Sequence, residues 1–409
     1  MARIAVIGAG VSGLTAAYLL RREHDVVLLE AEDRLGGHAH THQVGDLSVD
    51  SGFIVHNDRT YPLLRRLFRE LDVEVTETEM SMSITCDGCS VSYAGGRGPG
   101  GILAHPTSLL RPRFTRLLLE VPRFQRLALE LLDSDDDEIT LGDWLLINRF
   151  SDYFRTHYAQ PIVACVWSTG DALSLRYPAR YLFEFLRHHG LLSFGDSPQW
   201  YTVTGGSRRY VDRLAERLAD IRTAAPVRAI ERGERVRITL DDAELVVDKV
   251  VIATHADDAL RLLADPSDDE RRVLGAFQYS TNETVLHTDE SVLPSPQARS
   301  SWNYRMRSCT PDASRPEVTY WMNRLQRLPG STQHLVSLNP STPVASDAVT
   351  ARMSYAHPMY TPESVAAQRE LANLSTSSTT YAGAYHGWGF HEDGCRSGVR
   401  AAEHFGVTW

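Results

Sequence analysis

The sequence predicts an α/β protein in two interleaved parts: a discontinuous domain with a parallel sheet, and a mixed α+β region carried between its segments. Three observations predict it. Ile4-Ala5-Val6-Ile7, Gly8-Ala9-Gly10-Val11-Ser12-Gly13, a helical pattern and Val26-Val27-Leu28-Leu29-Glu30 read as strand, glycine turn, helix, strand and acid. A second buried-strand pattern, Val250-Val251-Ile252-Ala253, ends in small residues. A glycine-rich strand-to-helix turn, from Tyr381 through Gly389-Phe390-His391-Glu392-Asp393-Gly394, closes the chain.

In the first unit each glycine has a physical task. Gly8 permits the tight turn, Gly10 lets backbone approach a pyrophosphate, and Gly13 lets the helix pack on the strand. The helix start, at Val11 and Ser12, aims free N–H groups and a positive dipole end at phosphate. Glu30 stands where a carboxylate can accept hydrogen bonds from ribose hydroxyls. This is a dinucleotide-binding pattern. Ala31-Glu32-Asp33-Arg34-Leu35-Gly36-Gly37 follows at once, and its glycine pair lets the chain pass close to a longer nucleotide.

Between the first and last segments the pattern changes. Trp200 to Ser207 leads into a helical stretch at 210–218. Val227 to Ile230 and Val236 to Leu240 alternate as paired strands do. The expected nucleotide domain is 1–65, 200–265 and 375–409, with a substrate domain of 66–199 and 266–374. The expected tail helix covers 397–405. Residues 94–101 carry five glycines and a proline and read as a loop or lid hinge, and 133–138 as a solvated acidic turn. Residues 107–132 mix leucines with five arginines. Pro112 and Pro122 argue for a surface helix pair there, with peripheral membrane contact as the alternative.

Composition bounds the rest. A net charge of −10 excludes nucleic acid as the expected partner. No apolar run reaches membrane-span length, and no leader is expected before the first strand. Five cysteines, few and odd in number, suit a reducing cytoplasm. Cys86-Asp87-Gly88-Cys89 lacks a nearby second pair, so a hairpin that happens to carry two cysteines is expected, with no metal. His38, His40 and His42 alternate after the glycine pair and read as solvated or cofactor-adjacent.

Glu30 with the following Gly36-Gly37 resembles the flavin amine oxidase and phytoene desaturase superfamily. Asp50-Ser51-Gly52-Phe53-Ile54-Val55-His56-Asn57, Val166-Trp167-Ser168, Ser301-Trp302-Asn303-Tyr304 and the Gly389 to Gly394 turn resemble its bacterial NAD/FAD-binding branch. The resemblance implies a Rossmann-like, glutathione-reductase-like FAD domain with non-covalent FAD. It implies contacts at Gly8, Gly10, Val11, Ser12, Gly13, Glu30, Ala31, Arg34, Gly36, Gly37, Val227, Ala253, Gly389, Phe390, His391, Glu392 and Gly394. It also implies an oxidoreductase that takes a hydride from a small hydrophobic substrate, with oxygen or a partner as electron acceptor. Unsaturated acyl or polyene chains lead; amine oxidation, double-bond isomerisation and a non-catalytic flavoprotein partner remain alternatives. A thioether from Cys395 to the flavin is not expected. His391 and Glu392 are the leading catalytic candidates for their place at the final turn, followed by Trp167, Tyr304 and His357. The single lysine, Lys249, lies outside both expected substrate segments, which weakens the amine reading.

Overall fold

The computed structural model describes the whole chain apart from residues 96–100, 103–105, 135, 137, 169, 193–194, 196 and 311–314. Most of the glycine-rich 94–101 stretch therefore lies outside the described residues. Of 133–138, the described residues are exposed.

A five-stranded, all-parallel sheet gathers strands from the first, middle and last parts of the sequence. Its order is Asp220–Arg222, Asp25–Leu29, Arg3–Ile7, Lys249–Ile252, Thr379–Tyr381. The two central apolar runs alternate sides, as strand geometry requires. Ile4, Val6, Val26 and Leu28 join one core with Leu14, Leu19 and the tail helix. Ala5, Ile7, Val27 and Leu29 join the other, with Ile230, Ile238 and Leu274. Burial on both faces explains why these strands read as continuous apolar runs.

A seven-stranded mixed sheet forms the second layer system. Its order is Val349–Met359, Gln278–His287, Leu335–Leu338, Glu317–Trp321, Trp302–Met306, Met82–Cys86, Val91–Gly95. Only the Trp302–Met306 and Met82–Cys86 pair is parallel. Chain from both sides of the 200–265 segment thus builds one sheet. A smaller sheet sets Trp200–Val203 between Val55–Asn57 and Val75–Thr78.

Two expectations are corrected. Residues 112–132 form one helix, Pro112–Leu132, rather than a pair. Pro112 occupies the first turn, where its missing N–H costs nothing. Pro122 lies inside, and burial of Phe114, Leu117, Phe124, Ala128 and Leu132 along one face outweighs the lost hydrogen bond. The tail helix spans His391–His404, starting six residues earlier than expected. Asp393 supplies the start signal: its carboxylate accepts from the Phe390 N–H. Among the described residues no helix is long and apolar enough to cross a membrane.

Asp50 ties these parts together. Its buried carboxylate accepts from Thr41 Oγ1, from the Ser207 N–H and hydroxyl, and from Gln326 Nε2. Burial pushes its carboxyl up to about 6, against the pull of those donors.

Candidate functional site

The glycine turn is closed from three directions. Gly8 sits at φ +96° and donates to Leu29 O at 2.8 Å. A β-carbon on Gly13 would lie 1.9 Å from Gly8 O, so helix and strand touch backbone to backbone. Ala253 joins from the neighbouring strand: its N–H donates to Ile7 O, and its carbonyl abuts Gly8. Gly36 donates to Ala9 O at 2.8 Å, and Gly37 stands against the Gly10 Cα. A β-carbon on Gly10 itself would meet nothing within 4 Å. That opening, at the N-terminus of Val11–Leu20, is a cradle that a side chain would fill.

Glu30 spans the turn. One oxygen accepts from the Ala9 N–H at 2.7 Å and the other from the Glu32 N–H at 2.9 Å. Arg34 donates to Gly37 O at 2.8 Å and pairs with Glu32. Val11 and Ser12 are the first helical residues, and Ala31 is exposed beside Glu30. Ala224 and Ala225 donate to Glu32 O and Glu30 O, which leads the chain to Val227 in the second core.

The tail helix lands on this cradle. A β-carbon on Gly394 would fall 2.6 Å from Val11 Cγ1 and 2.9 Å from Ser12 Oγ. Just before it, Gly389 (φ +91°) lies under Tyr360, where a β-carbon would be 2.9 Å from the hydroxyl. Among the described residues, the buried atoms Tyr360 Oη and Trp388 Nε1 have no hydrogen-bond partner. Both adjoin Gly389, and polar atoms left without a partner there fit a bound polar group. Cys395 turns the other way, its buried sulfur accepting from Thr15 Oγ1 in the helix–helix contact.

Four imidazoles gather at the same place. His38 lies 5.2 Å from Tyr355, 5.6 Å from His357 and 6.1 Å from His255, ring centre to ring centre. His391 stacks on Phe53 at 3.8 Å and meets Tyr210 Oη at 3.2 Å. His357 Nδ1 contacts Asn282 Nδ2 at 3.0 Å. All four residues are half-buried, so protein crowds the cluster on most sides. Burial drives each toward the neutral form. His357 is pushed down to about 4, with His255 adding to the effect, and His391 to about 3, with His56 adding. His38 is held well below its ordinary range by burial and then by His357 and His255. Burial also lowers His255, against Asp258 and Asp257.

Acidification has a definite sign here. Between an unfolded histidine near 6.5 and these lowered folded values, the unfolded chain binds more protons, so stability falls as pH drops. Asp50, Glu392 and Asp393, raised by burial, work in the opposite direction. Histidines held low, including His40, His56, His189, His287 and His386, outnumber them. The urea midpoint is therefore expected to fall steadily from pH 7 to pH 5; a midpoint that rises would contradict this assignment.

The other predicted residues take distinct places. Glu392 is buried, and its two oxygens accept from the N–H groups of Leu63 and Leu64. It caps the helix Pro62–Glu70, and burial raises its carboxyl to about 7. Trp167 Nε1 donates to Trp388 O at 2.8 Å, and its ring joins Tyr177, Phe185, Tyr360 and Phe390. Tyr304 is buried in the seven-stranded sheet. The Lys249 ammonium packs over Phe405, 4.6 Å from the ring centre. His255 was not a candidate from the sequence; it stands at the N-terminus of helix Ala256–Leu262, and only the fold brings it beside His38.

The comparisons with known proteins converge on one family. Residues 11–320 match the model of the flavin containing amine oxidoreductases. AofH of Mycobacterium tuberculosis, which bears the name flavin-containing monoamine oxidase, is 29% identical over 277 residues, 64% of this chain and 59% of that one. The flavin-dependent L-tryptophan oxidase RebO of Lentzea aerocolonigenes is 53% identical over 270 residues, 58% of this chain and 54% of RebO. The chain thus spans less than two thirds of the length of these curated relatives. A fatty acid isomerase from P. acnes shares the fold at TM-score 0.70 and 18% identity, over 99% of both chains. Cyclohexylamine oxidase from Brevibacterium oxydans does so at TM-score 0.71 and 18% identity, over 99% of this chain and 98% of that one. The open glycine cradle, the acid across it and the tail helix are of a kind that fits FAD, the cofactor this family binds non-covalently. The chain belongs to the flavin containing amine oxidoreductase family.

Proposed function

We propose that this enzyme takes a hydride from a small hydrophobic substrate, an unsaturated acyl or polyene chain, as a desaturase or oxidase. When bound, FAD supplies the hydride acceptor at its N5 position. In this reading residues 1–65, 200–265 and 375–409 hold the cofactor, and 66–199 and 266–374 hold the substrate.

The observation that carries the reading is the uncharged character of the histidine cluster. His38, His255, His357 and His391 are all driven to the neutral form, and aromatic rings adjoin them. A cationic amine is held best by a carboxylate. Both Glu392 oxygens are already engaged by a helix end, and Asp393 is engaged by Arg396 and Phe390. The only lysine is occupied at Phe405.

The roles follow from position. His357, oriented by Asn282, is the polar group offered to the substrate. His391, held between Phe53 and Tyr210, stands at the start of the tail helix. Trp167 and Glu392 act as positioning residues: one fixes the Trp388 carbonyl before Gly389, the other locks the tail helix to Pro62–Glu70. Tyr304 packs the sheet behind them.

A second reading, oxidation of an amine or an aromatic amino acid, is favoured by the names of the sequence relatives. Anaerobic titration of the flavin-loaded protein separates the two. Unsaturated fatty acids are expected to bleach the flavin, and amines and aromatic amino acids to leave it yellow. Bleaching by the nitrogenous panel alone would overturn the proposal.

A further inference from the structure

Far from the glycine cradle in sequence, the hairpin Met82–Cys86 and Val91–Gly95 carries Cys86 and Cys89 at its turn. Sequence spacing leaves this pair without partners. The fold supplies two. Cys309 arrives just after strand Trp302–Met306, which runs parallel to Met82–Cys86. His157 comes from the π-helical turn Arg155–Ala159. The three sulfurs and one imidazole nitrogen all lie within 4.8 Å of one another.

The distances are those of a metal's coordination shell. Cys86 Sγ lies 3.7 Å from Cys309 Sγ, and Cys89 Sγ lies 3.6 Å from His157 Nε2. A tetrahedral zinc ion, with Zn–S of ~2.3 Å and Zn–N of ~2.0 Å, spaces its sulfurs ~3.8 Å apart and sulfur from nitrogen ~3.5 Å apart. A disulfide would draw two sulfurs to ~2.05 Å, leaving the third and the histidine without a function. All three cysteines are free.

The surroundings are shaped to bring these groups together. A β-carbon on Gly88 would lie 3.0 Å from the Cys309 nitrogen and from the Ser308 Cα, so the two loops meet closely at a residue without a side chain. Thr156 Oγ1 bonds His157 Nδ1 at 2.7 Å, and Tyr153 stacks on the ring at 3.9 Å. A hydrogen bond on one imidazole nitrogen fixes the ring and presents the other to a metal. The backbone is held as well: Tyr93 Oη donates to His157 O, and Arg111 to Cys89 O.

We propose that Cys86, Cys89, Cys309 and His157 bind one zinc(II) ion, a structural site that staples the sheet hairpin to the helical part of the 66–199 segment. Each thiol loses its proton to solvent as its sulfur ligates, and His157 ligates as the neutral imidazole. Nothing is oxidised or reduced. Four protein ligands fill the tetrahedron, so no position remains for a catalytic water.

The test is metal analysis of the intact flavoprotein purified without chelator. One zinc per chain is expected, and growth on cobalt(II) should give the visible bands of a thiolate-rich tetrahedral site. Cys309→Ser and His157→Ala should lose the metal, His157→Cys should keep it, and Cys165→Ser, at a buried cysteine outside the group, should not change it. Should the substituted chains fail to fold, the metal content and cobalt spectrum of the unaltered protein decide. Protein that holds no zinc and takes up none on addition of the metal, or a disulfide between any two of the three cysteines, would overturn the proposal.

Discussion

Gly10→Ala is expected to yield a folded, colourless protein, and Gly13→Val a protein that loses both flavin and stability. The contrast comes from what each new β-carbon meets. At Gly10 it meets no protein atom within 4 Å, and φ of −71° suits any residue. The added methyl therefore leaves the apoprotein intact and occupies the space where the nucleotide's phosphates must approach. A loss of at least tenfold in FAD affinity, about 1.4 kcal/mol, is expected. At Gly13 the same atom would fall 1.9 Å from the Gly8 carbonyl and 3.2 Å from Ala253 Cβ. Backbone cannot swing aside as a side chain can, so the first helix must lift off the central strand, at a cost of about 3 kcal/mol or more. Flavin content after purification and the urea midpoint read the two effects separately. Wild-type flavin content in Gly10→Ala would remove the cradle from its assigned role.

Asp50→Ala is expected to destabilise the protein by about 3 kcal/mol or more, because each buried donor left without an acceptor costs about 1–3 kcal/mol and several are stranded together. The substitution strands the Ser207 N–H, the Thr41 and Ser207 hydroxyls and the Gln326 amide, all inside protein. Asp50→Asn keeps the shape but turns an amide donor toward donors, and should cost about 1–3 kcal/mol. The damage should reach the histidine cluster. Ser51, the next residue, bonds both Tyr355 Oη and His42 Nε2, and Phe53 carries the His391 ring. Urea unfolding measures the loss; an Asp50→Ala midpoint equal to wild type would show that water replaces the missing acceptor.

The strand, glycine turn, helix and strand at the start of the chain were legible because their physics is local. Gly8, Gly10, Gly13 and Glu30 act within one strand-helix-strand unit, so spacing along the chain equals spacing in the fold. Helix limits were less legible. At Pro122 a local penalty yields to one buried face, and at His391 the start depends on the Asp393 carboxylate reaching back to Phe390. The histidine cluster was legible only in part, because its members come from four separate regions and meet only when two sheets are assembled. Cys86 and Cys89 show the same limit: their neighbours His157 and Cys309 lie 68 and 223 residues away along the contacting pairs.

The five-stranded parallel sheet has a further consequence for how the molecule comes into being. Strands Arg3–Ile7 and Asp25–Leu29 are neighbours along the chain, yet the edge strand Thr379–Tyr381 and the helix His391–His404, which lies on the first helix, come about 350 residues later. Such long-range pairing is slow to form and leaves apolar edges open meanwhile. A nascent chain that has not yet reached Thr379 therefore carries the glycine turn without the helix that packs against it.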